Sequence, residues 1–317
     1  MAMRPDRSNR PETPVSWRFL GPTGILSPHM ADAKTPPRAG PGDPHVELRN
    51  VCKEFGDRTI FSDLSCTFPK DRITVVLGGS GSGKSTLVRL VAGLIEPESG
   101  SILIDGADIT TLSPKEMAPV RRKLGMMFQH GALLDSMRVY DNLAFPLREH
   151  TAMFESEIAA EVRECLASVG LSDVDDLLPG ELSGGMMKRV ALARALIMKP
   201  VILLCDEPFS GLDPITTKRI EILLKKVNKE LGITVIMISH DVASTMRMAD
   251  QLLVMLPDGH AQGPPAELRN SSDPRVRNLL SEDVEESVIE LEVAVEAQAV
   301  VRPMDLDSTW YVTPSKR

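Results

Sequence analysis

The stretch from residue 78 to residue 86, GGSGSGKST, limits the fold more than any other part of the chain. It follows the apolar run ITVVL at 73–77 and opens the helical pattern STLVRLVAGL at 85–94. A strand, a glycine-rich loop and a helix in this order, with the spacing G-x-x-x-x-G-K-[ST], predict a loop whose backbone N–H groups surround phosphates. A chance glycine-rich turn would not explain both flanking elements.

We expect the whole loop to take part in nucleotide binding. Lys84 supplies positive charge to the β- and γ-phosphates, and Ser85 offers a hydroxyl to Mg²⁺. The predicted nucleotide-binding residues here are Gly78, Gly79, Ser80, Gly81, Ser82, Gly83, Lys84, Ser85 and Thr86. The loop by itself indicates only a nucleoside triphosphatase.

A second apolar run, VILLCDEP at 201–208, ends in two carboxylates. We predict that Asp206 binds Mg²⁺, directly or through water, and that Glu207 polarises the attacking water as general base. An acidic pair that merely caps a strand end is the alternative. The segments SGLDP at 210–214 and ISHD at 238–241 weaken it, and His240, just after the apolar strand TVIMIS, could reach a γ-phosphate.

A second glycine-rich helix opening occurs in PGELSGGMMKR at 179–189. Ser183, Gly184 and Gly185 present a hydroxyl and bare N–H groups at the start of the helical run MMKRVALARAL, which favours an anion. The loop at 78–86 already serves one nucleotide. Which phosphate the second helix start binds therefore needs a separate explanation.

These motifs follow one another in the order found in the ATP-binding subunits of ABC transporters. The order is Walker A at 78–86, Gln129 in MMFQHG, LSGGM at 182–186, Walker B at 201–207, SGLD at 210–213, and His240. Over about residues 45–268 the chain resembles this family. The resemblance implies an α/β fold, a P-loop NTPase core with an antiparallel β subdomain and an inserted helical subdomain at about 130–190. It also implies ATP hydrolysis with ATP and Mg²⁺.

The resemblance assigns further roles. It implies that Ser183, Gly184 and Gly185 close over the ATP of the other subunit in a head-to-tail homodimer. Gln129 would be a catalytic residue and Mg²⁺ ligand that couples the site to a membrane subunit. Phe55 would stack on adenine, with core packing as the alternative. Met186 departs from the glutamine that is commonest at its place in the family.

The segment from Gln129 to Thr151 bears on the kind of transporter, and it reads QHGALLDSMRVYDNLAFPLREHT. With DEPFSGLDPIT and DPRVRNLL at 273–280, it resembles the ATPases of Mla and Mce-type lipid transport systems. This implies phospholipid transport, a membrane permease, an Mce-domain companion, and a peripheral position on the cytoplasmic face of the inner membrane. An importer ATPase for a small polar solute is the alternative. Apolar side chains predict a permease-docking surface, with core filling explaining some of them: Met126, Met127, Leu133, Leu134 and Met137.

Composition excludes several other classes. A net charge of −8 speaks against a nucleic-acid partner, which would require a basic face. No apolar run approaches the roughly 18 residues of a membrane span. Four scattered cysteines predict buried, reduced thiols. The short interval between Lys84 and Asp206 leaves no room for the long coiled coil of a DNA-repair ABC protein, and a single cassette argues against a translation-type one.

The two ends of the chain differ in amino-acid composition from the middle. Residues 1–44 hold nine of the 24 prolines and are predicted to form a disordered extension, with Met30 as an alternative start. Residues 269–317 are predicted to form an acidic extension, with a half-buried strand at 288–301. Trp310 and Tyr311 stand alone near its end and would need an apolar surface.

Overall fold

The computed structural model describes residues 44–129 and 131–281. The predictions for the proline-rich extension before Pro44, for the strand at 288–301, and for Trp310 and Tyr311 lie outside the described residues. In chain order the elements are β1 (Pro44–Phe55), β2 (Arg58–Pro69), β3 (Ile73–Gly78), α1 (Lys84–Val91), β4 (Ser99–Ile104), β5 (Ala107–Asp108), α2 (Pro114–Arg122), β6 (Leu124–Met127), α3 (Val139–His150), α4 (Glu155–Ser168), α5 (Gly184–Leu196), β7 (Ile202–Asp206), α6 (Pro214–Leu231), β8 (Thr234–Ile238), α7 (Val242–Met248), β9 (Gln251–Leu256), β10 (Gly259–Gly263) and α8 (Pro265–Arg269).

A six-stranded sheet with the order β10-β9-β3-β8-β7-β6 forms the centre of the molecule. Its strands are parallel except β10, which pairs antiparallel with β9. β3 and β8 are buried along their whole length, as expected for continuous apolar runs that are covered on both faces. The carboxyl ends of β3, β8 and β7 are neighbours. They therefore bring the 78–86 loop, His240 and Asp206 to one edge of the sheet.

A four-stranded sheet, β2-β1-β4-β5, is antiparallel and forms a separate layer. Helix α1 packs between this layer and one face of the central sheet, in a core that includes Val46, Leu90 and Ile236. The other face of the central sheet shares a core with helices α3 to α6. Side chains alternate between the two cores along each central strand, for example Val75 in one and Val76 in the other.

The core extends past the boundary at residue 268 that the sequence suggests. Residues 274–281 are helical, and Val276 and Leu280 are fully buried in the larger core. Their spacing of four residues places both on one helix face. The acidic character of the C-terminal part therefore begins beyond a segment that packs like the rest of the cassette.

Two composition-based expectations can be compared with the structure. All four cysteines are free, and burial raises the pKa of the Cys66, Cys165 and Cys205 thiols to about 12. Within residues 44–129 and 131–281, the structure contains no helix that is both long and apolar enough to cross a membrane.

Candidate active site

The glycine-rich loop turns tightly around the start of α1. Lys84 Nζ donates to the carbonyl oxygens of Gly78 and Gly79, at 2.7 and 2.8 Å. Gly83 has a φ of +95°, and a Cβ atom there would lie 2.6 Å from the ring of Phe61. A side chain is therefore excluded both by backbone conformation and by space.

The loop has the features that a phosphate requires. The Ser82 hydroxyl oxygen is buried and has no hydrogen-bond partner among the described residues. Burial lowers the pKa of the Lys84 ammonium, while the nearby carboxylates of Glu207 and Asp206 raise it. A buried hydroxyl without a partner and a buried cation at a helix N-terminus together fit an anionic ligand.

The residues assigned to Mg²⁺ supply oxygen ligands. Ser85 Oγ lies 3.4 Å from Asp206 Oδ1, to which it donates. The pKa of Asp206 is raised by burial and by the neighbouring Glu207. In the described part of the chain, no group of three or more His, Cys, Asp and Glu side chains could hold a metal ion. The donor set fits a Mg²⁺ ion that completes its shell with phosphate oxygens and water.

Two of the predicted catalytic side chains, Gln129 and His240, contact the carboxylate of the third, Glu207. Gln129 Nε2 donates to Glu207 Oε2 at 2.7 Å, and His240 Nε2 lies 3.0 Å from Glu207 Oε1. Gln129 also lies 3.4 Å from the hydroxyl of Ser210. The amide of Gln129 is thus placed against the general base, and its predicted role as a Mg²⁺ ligand remains a prediction.

The backbone of Glu207 is unusual. Its φ is +49°, in the left-handed region that residues other than glycine rarely adopt. Its N–H donates to the carbonyl of Ile238 at 3.1 Å. Strained conformations of this kind are held by their surroundings and cluster at functional sites. The residue with this backbone is also the one whose carboxylate contacts Gln129 and His240.

Two aspartates begin the helices that follow these reactive segments. Asp213 caps α6 by accepting from the backbone N–H groups of Ile215 and Thr216, both at 3.0 Å. Asp241 caps α7 and accepts from Ser244 N at 2.8 Å. These caps fix the turns that carry SGLD and His240.

The second glycine-rich opening is a solvent-facing helix start. Ser183 is the N-cap of α5 and accepts from the N–H of Met186 at 3.3 Å. Ser183 and Gly184 are exposed, and a Cβ atom at Gly185 would lie 2.6 Å from Thr216 Cγ2. Met186 is partly buried against the larger core, so the methionine that replaces the usual glutamine has a packing role.

Phe55 is placed as an exposed aromatic platform rather than as a core residue. Its ring is 50% exposed at the end of β1. Lys53 Nζ lies 5.0 Å from the ring centroid and is itself bound to the carbonyl of Glu96 and the carboxylate of Glu98, at 2.7 and 2.8 Å. A fixed cation therefore lies against the ring while much of the ring stays accessible to a base.

Sequence reasoning missed two cations of the site. Lys188, on α5, is only 7% exposed, and its Nζ donates to the backbone carbonyls of Gln129 and Glu207. Arg58 Nη2 donates to the carbonyl of Gly81 at 3.0 Å. The sequence pattern could have indicated Lys188. It lies four residues before Leu192 and seven before Ala195, and this helical spacing places the lysine on the buried face of α5.

Among the apolar side chains of the predicted docking surface, Met127 is one that core filling explains. That residue is fully buried, because β6 is a strand of the central sheet and its side chain enters the larger core. Met126 and Leu133 are partly buried and pack against the cores, whereas Leu134 is exposed. Phe145 and Leu178 are also exposed nearby. Met137 of the predicted surface lines an open cleft together with these two side chains and with Ser136, Arg138, Asp141, Arg148, Asp176 and Glu181.

Comparison with known proteins agrees with this geometry. Residues 61–210 match the family model described as ABC transporter. The intermembrane phospholipid transport system ATP-binding protein MlaF of Escherichia coli K12 is 42% identical over 236 residues, which cover 74% of this chain and 88% of MlaF. The chain belongs to the ABC transporter ATP-binding proteins. This confirms the predicted family and its likeness to the Mla type.

Other relatives of the cassette support the same assignment. The probable ribonucleotide transport ATP-binding protein mkl of Mycobacterium tuberculosis H37Rv is 43% identical over 243 residues, covering 74% of this chain and 66% of mkl, slightly under two thirds of its length. The solved structure of cbiO1 from Clostridium perfringens, part of the ABC transporter complex cbiONQ, has a TM-score of 0.68 at 30% identity and covers 82% of this chain and all of that one.

A dimeric cassette in a post-hydrolysis state, bound to ADP and phosphate, has a TM-score of 0.64 at 31% identity. That comparison covers 69% of this chain and 98% of that one. The structural neighbours confirm the predicted α/β fold of the ABC ATPase cassette.

Proposed function

We propose that this cassette is the ATP-hydrolysing subunit of a transporter that moves phospholipid at the inner membrane. The observation that carries the chemistry is the meeting of Gln129 and His240 on the carboxylate of Glu207, at the sheet edge that also holds Lys84. The cargo is supported by the 42% identity to MlaF, across 88% of that protein.

The arrangement suits hydrolysis of a nucleoside triphosphate. Glu207 accepts a proton from the attacking water, and Lys84 and His240 interact with the γ-phosphate. Ser85, Asp206 and Gln129 would hold Mg²⁺, which neutralises negative charge on the phosphate oxygens when it is bound. Phe55 stacks on adenine.

The signature at Ser183, Gly184 and Gly185 serves the nucleotide of a second copy of the chain. In support, Ser183 and Gly184 are exposed at the start of a 13-residue helix, where N–H groups favour an anion. A structural neighbour at 31% identity is a dimeric cassette. In a two-fold homodimer with two ATP molecules at its interface, each ATP contacts the 78–86 loop of one subunit and the signature of the other.

The membrane partners are a permease and an Mce-domain protein, and the cassette lies on the cytoplasmic face of the membrane. Support comes from the cleft beside the exposed Phe145 and Leu178, which offers apolar and charged groups to a permease segment. The cassette contacts the permease and not the lipid. No nucleic-acid partner is proposed, given the net charge of −8.

A second cargo has its own support. The mycobacterial relatives named for probable ribonucleotide transport are 43% identical, and a ribonucleotide is a small polar solute. The match covers less of those proteins, 66% against 88% of MlaF, and this favours the lipid.

The test is to purify the complex from membranes with the cassette as bait and identify its subunits and bound molecules. We expect a permease, an Mce-domain protein, co-purified phospholipid, and ATPase activity that depends on lipid. A complex containing a soluble solute-binding protein, with ATPase activity stimulated by a ribonucleotide and indifferent to lipid, would replace the lipid with the polar cargo.

A further inference from the structure

Lys188 connects three parts of the active site that are distant in the chain. It lies on α5, the helix that begins at the signature, and its side chain is buried. Its Nζ donates to the carbonyl of Gln129, which follows β6, and to the carbonyl of Glu207, which follows β7, at 3.3 Å for the latter. One ammonium group therefore ties both loops to α5.

The two carbonyls belong to the residues whose side chains meet at 2.7 Å. Glu207 is held on one side by its N–H bond to Ile238 and on the other by Lys188, so its left-handed backbone is fixed at both ends of the residue. Among the described residues, these two carbonyls accept from the buried Lys188 ammonium, and the nearby carboxylates of Glu207 and Asp206 also offset the cost of its burial.

We propose that Lys188 is a positioning residue, which holds Gln129 and Glu207 in the geometry for hydrolysis and links them to the signature helix. The inference rests on the proposed ATPase function and deepens it. Because Ser183 caps the N-terminus of α5, any shift of this helix on the partner's nucleotide is carried by Lys188 to the hydrolytic residues of its own subunit. Lys188 itself does not touch the nucleotide in this assignment.

The first experiment separates positioning from general packing in the purified transporter complex. Lys188→Met should lower kcat by about 10- to 100-fold, because small displacements of a catalytic group cost rate, while the KM for ATP stays within about threefold. Lys188→Gln keeps hydrogen-bond donors without the charge and should show a smaller loss of kcat. It carries the test if the methionine variant does not fold.

Lys199→Met is the matched control. Lys199 follows the end of α5 and binds Glu161 of α4 at 3.0 Å, so the substitution removes a partly buried cation near the same helix outside the site. We expect its thermal midpoint to fall while kcat stays near that of the wild type. A fall in kcat as large as that of Lys188→Met would make the effect a general one and overturn the proposal.

The second experiment asks whether Lys188 acts through Glu207. In single-turnover assays, the combined loss of rate in the Glu207→Gln, Lys188→Met double variant should be clearly smaller than the product of the two single losses, because the positioning of Glu207 no longer contributes once the base is gone. If the two losses multiply instead, Lys188 acts independently of Glu207 and the proposal is wrong.

The two levels of inference fail differently. A wild-type complex that hydrolyses no ATP removes the proposed function, and this inference with it. A wild-type complex that hydrolyses ATP, with Lys188→Met equal to it in kcat, leaves the proposed function standing and overturns only the role of Lys188.

Discussion

Gln129 and Glu207 are 78 residues apart in the chain, yet Gln129 Nε2 donates to Glu207 Oε2 at 2.7 Å. The register of the central sheet produces this contact. Met127 of β6 pairs with Cys205 of β7, and each reactive residue lies two positions beyond its member of that pair. An ionised carboxylate offers about four lone-pair sites, so Glu207 can accept from Gln129 and still accept from an attacking water.

Replacing the base should separate binding from hydrolysis. Glu207→Gln keeps the size of the side chain and leaves Lys84 and the loop unchanged. We expect ATP to bind as before while hydrolysis slows by about 10²- to 10⁴-fold, the usual contribution of a positioned general base. Fluorescent-nucleotide titration and phosphate release measure the two effects, and turnover close to the wild-type rate would remove Glu207 from this role.

Mixed dimers should show that the signature acts on the partner's nucleotide. If one subunit carries Lys84→Ala and the other Ser183→Arg, both lesions fall in one composite site and the second site stays intact. We expect one molecule of a non-hydrolysable ATP analogue per mixed dimer, and none in either mutant homodimer. A mixed dimer that binds no analogue would mean that each signature serves its own subunit.

Phe55 should contribute to ATP affinity rather than to folding, because its ring is half exposed. Base–aromatic stacking is worth about 1–3 kcal/mol, so Phe55→Ala should weaken ATP binding on the order of 10- to 100-fold with little change in thermal midpoint. Phe154 is 76% exposed at the start of α4, and Phe154→Ala is the matched control. Calorimetric titration compares them, and equal ATP affinities would refute stacking by Phe55.

His45 should make stability depend on pH. Its Nδ1 lies 2.7 Å from Thr234 Oγ1, which also accepts from the N–H of Asp71, and its Nε2 lies 3.2 Å from Asp105. Thr234 can therefore donate to Nδ1, and a neutral ring donating from Nε2 to Asp105 satisfies every group. Burial lowers the pKa of His45 from 6.5, although the Asp105 carboxylate acts to raise it.

The sign follows from this lowered pKa. The unfolded chain takes up the proton more readily than the folded one, so stability is lost as the pH falls below about 6.5. We expect the drop in thermal midpoint between about pH 7.5 and about pH 5.5 to be smaller in His45→Gln than in the wild type. His150 is exposed, and His150→Gln should keep the wild-type drop. Equal drops in all three proteins would show that His45 does not titrate differently on folding.

Local sequence predicted the parts of the site that depend on short spacing. Gly78, Gly81 and Gly83 have positive φ angles, and a Cβ atom at each would meet a close neighbour, as at Gly83 and Phe61. Asp206 and Glu207 end a continuous apolar run, which indicates a buried strand in any context. Ser183 and its two glycines mark a helix start in the same way. Each of these features depends on neighbouring residues in the chain, so the sequence alone can predict it.

Tertiary structure decided which of these parts meet. Six motifs could be identified from consecutive residues, because hydrophobic period and glycine placement are local properties, and their order carried the resemblance that implies the family and its α/β fold. The sequence could not show that Met127 is buried while Phe145 is exposed, or that Lys188 reaches the carbonyls of Gln129 and Glu207. Those outcomes depend on strand register and on the packing of α5 against the sheet, which bring together residues whose separation in sequence carries no information about their distance in space.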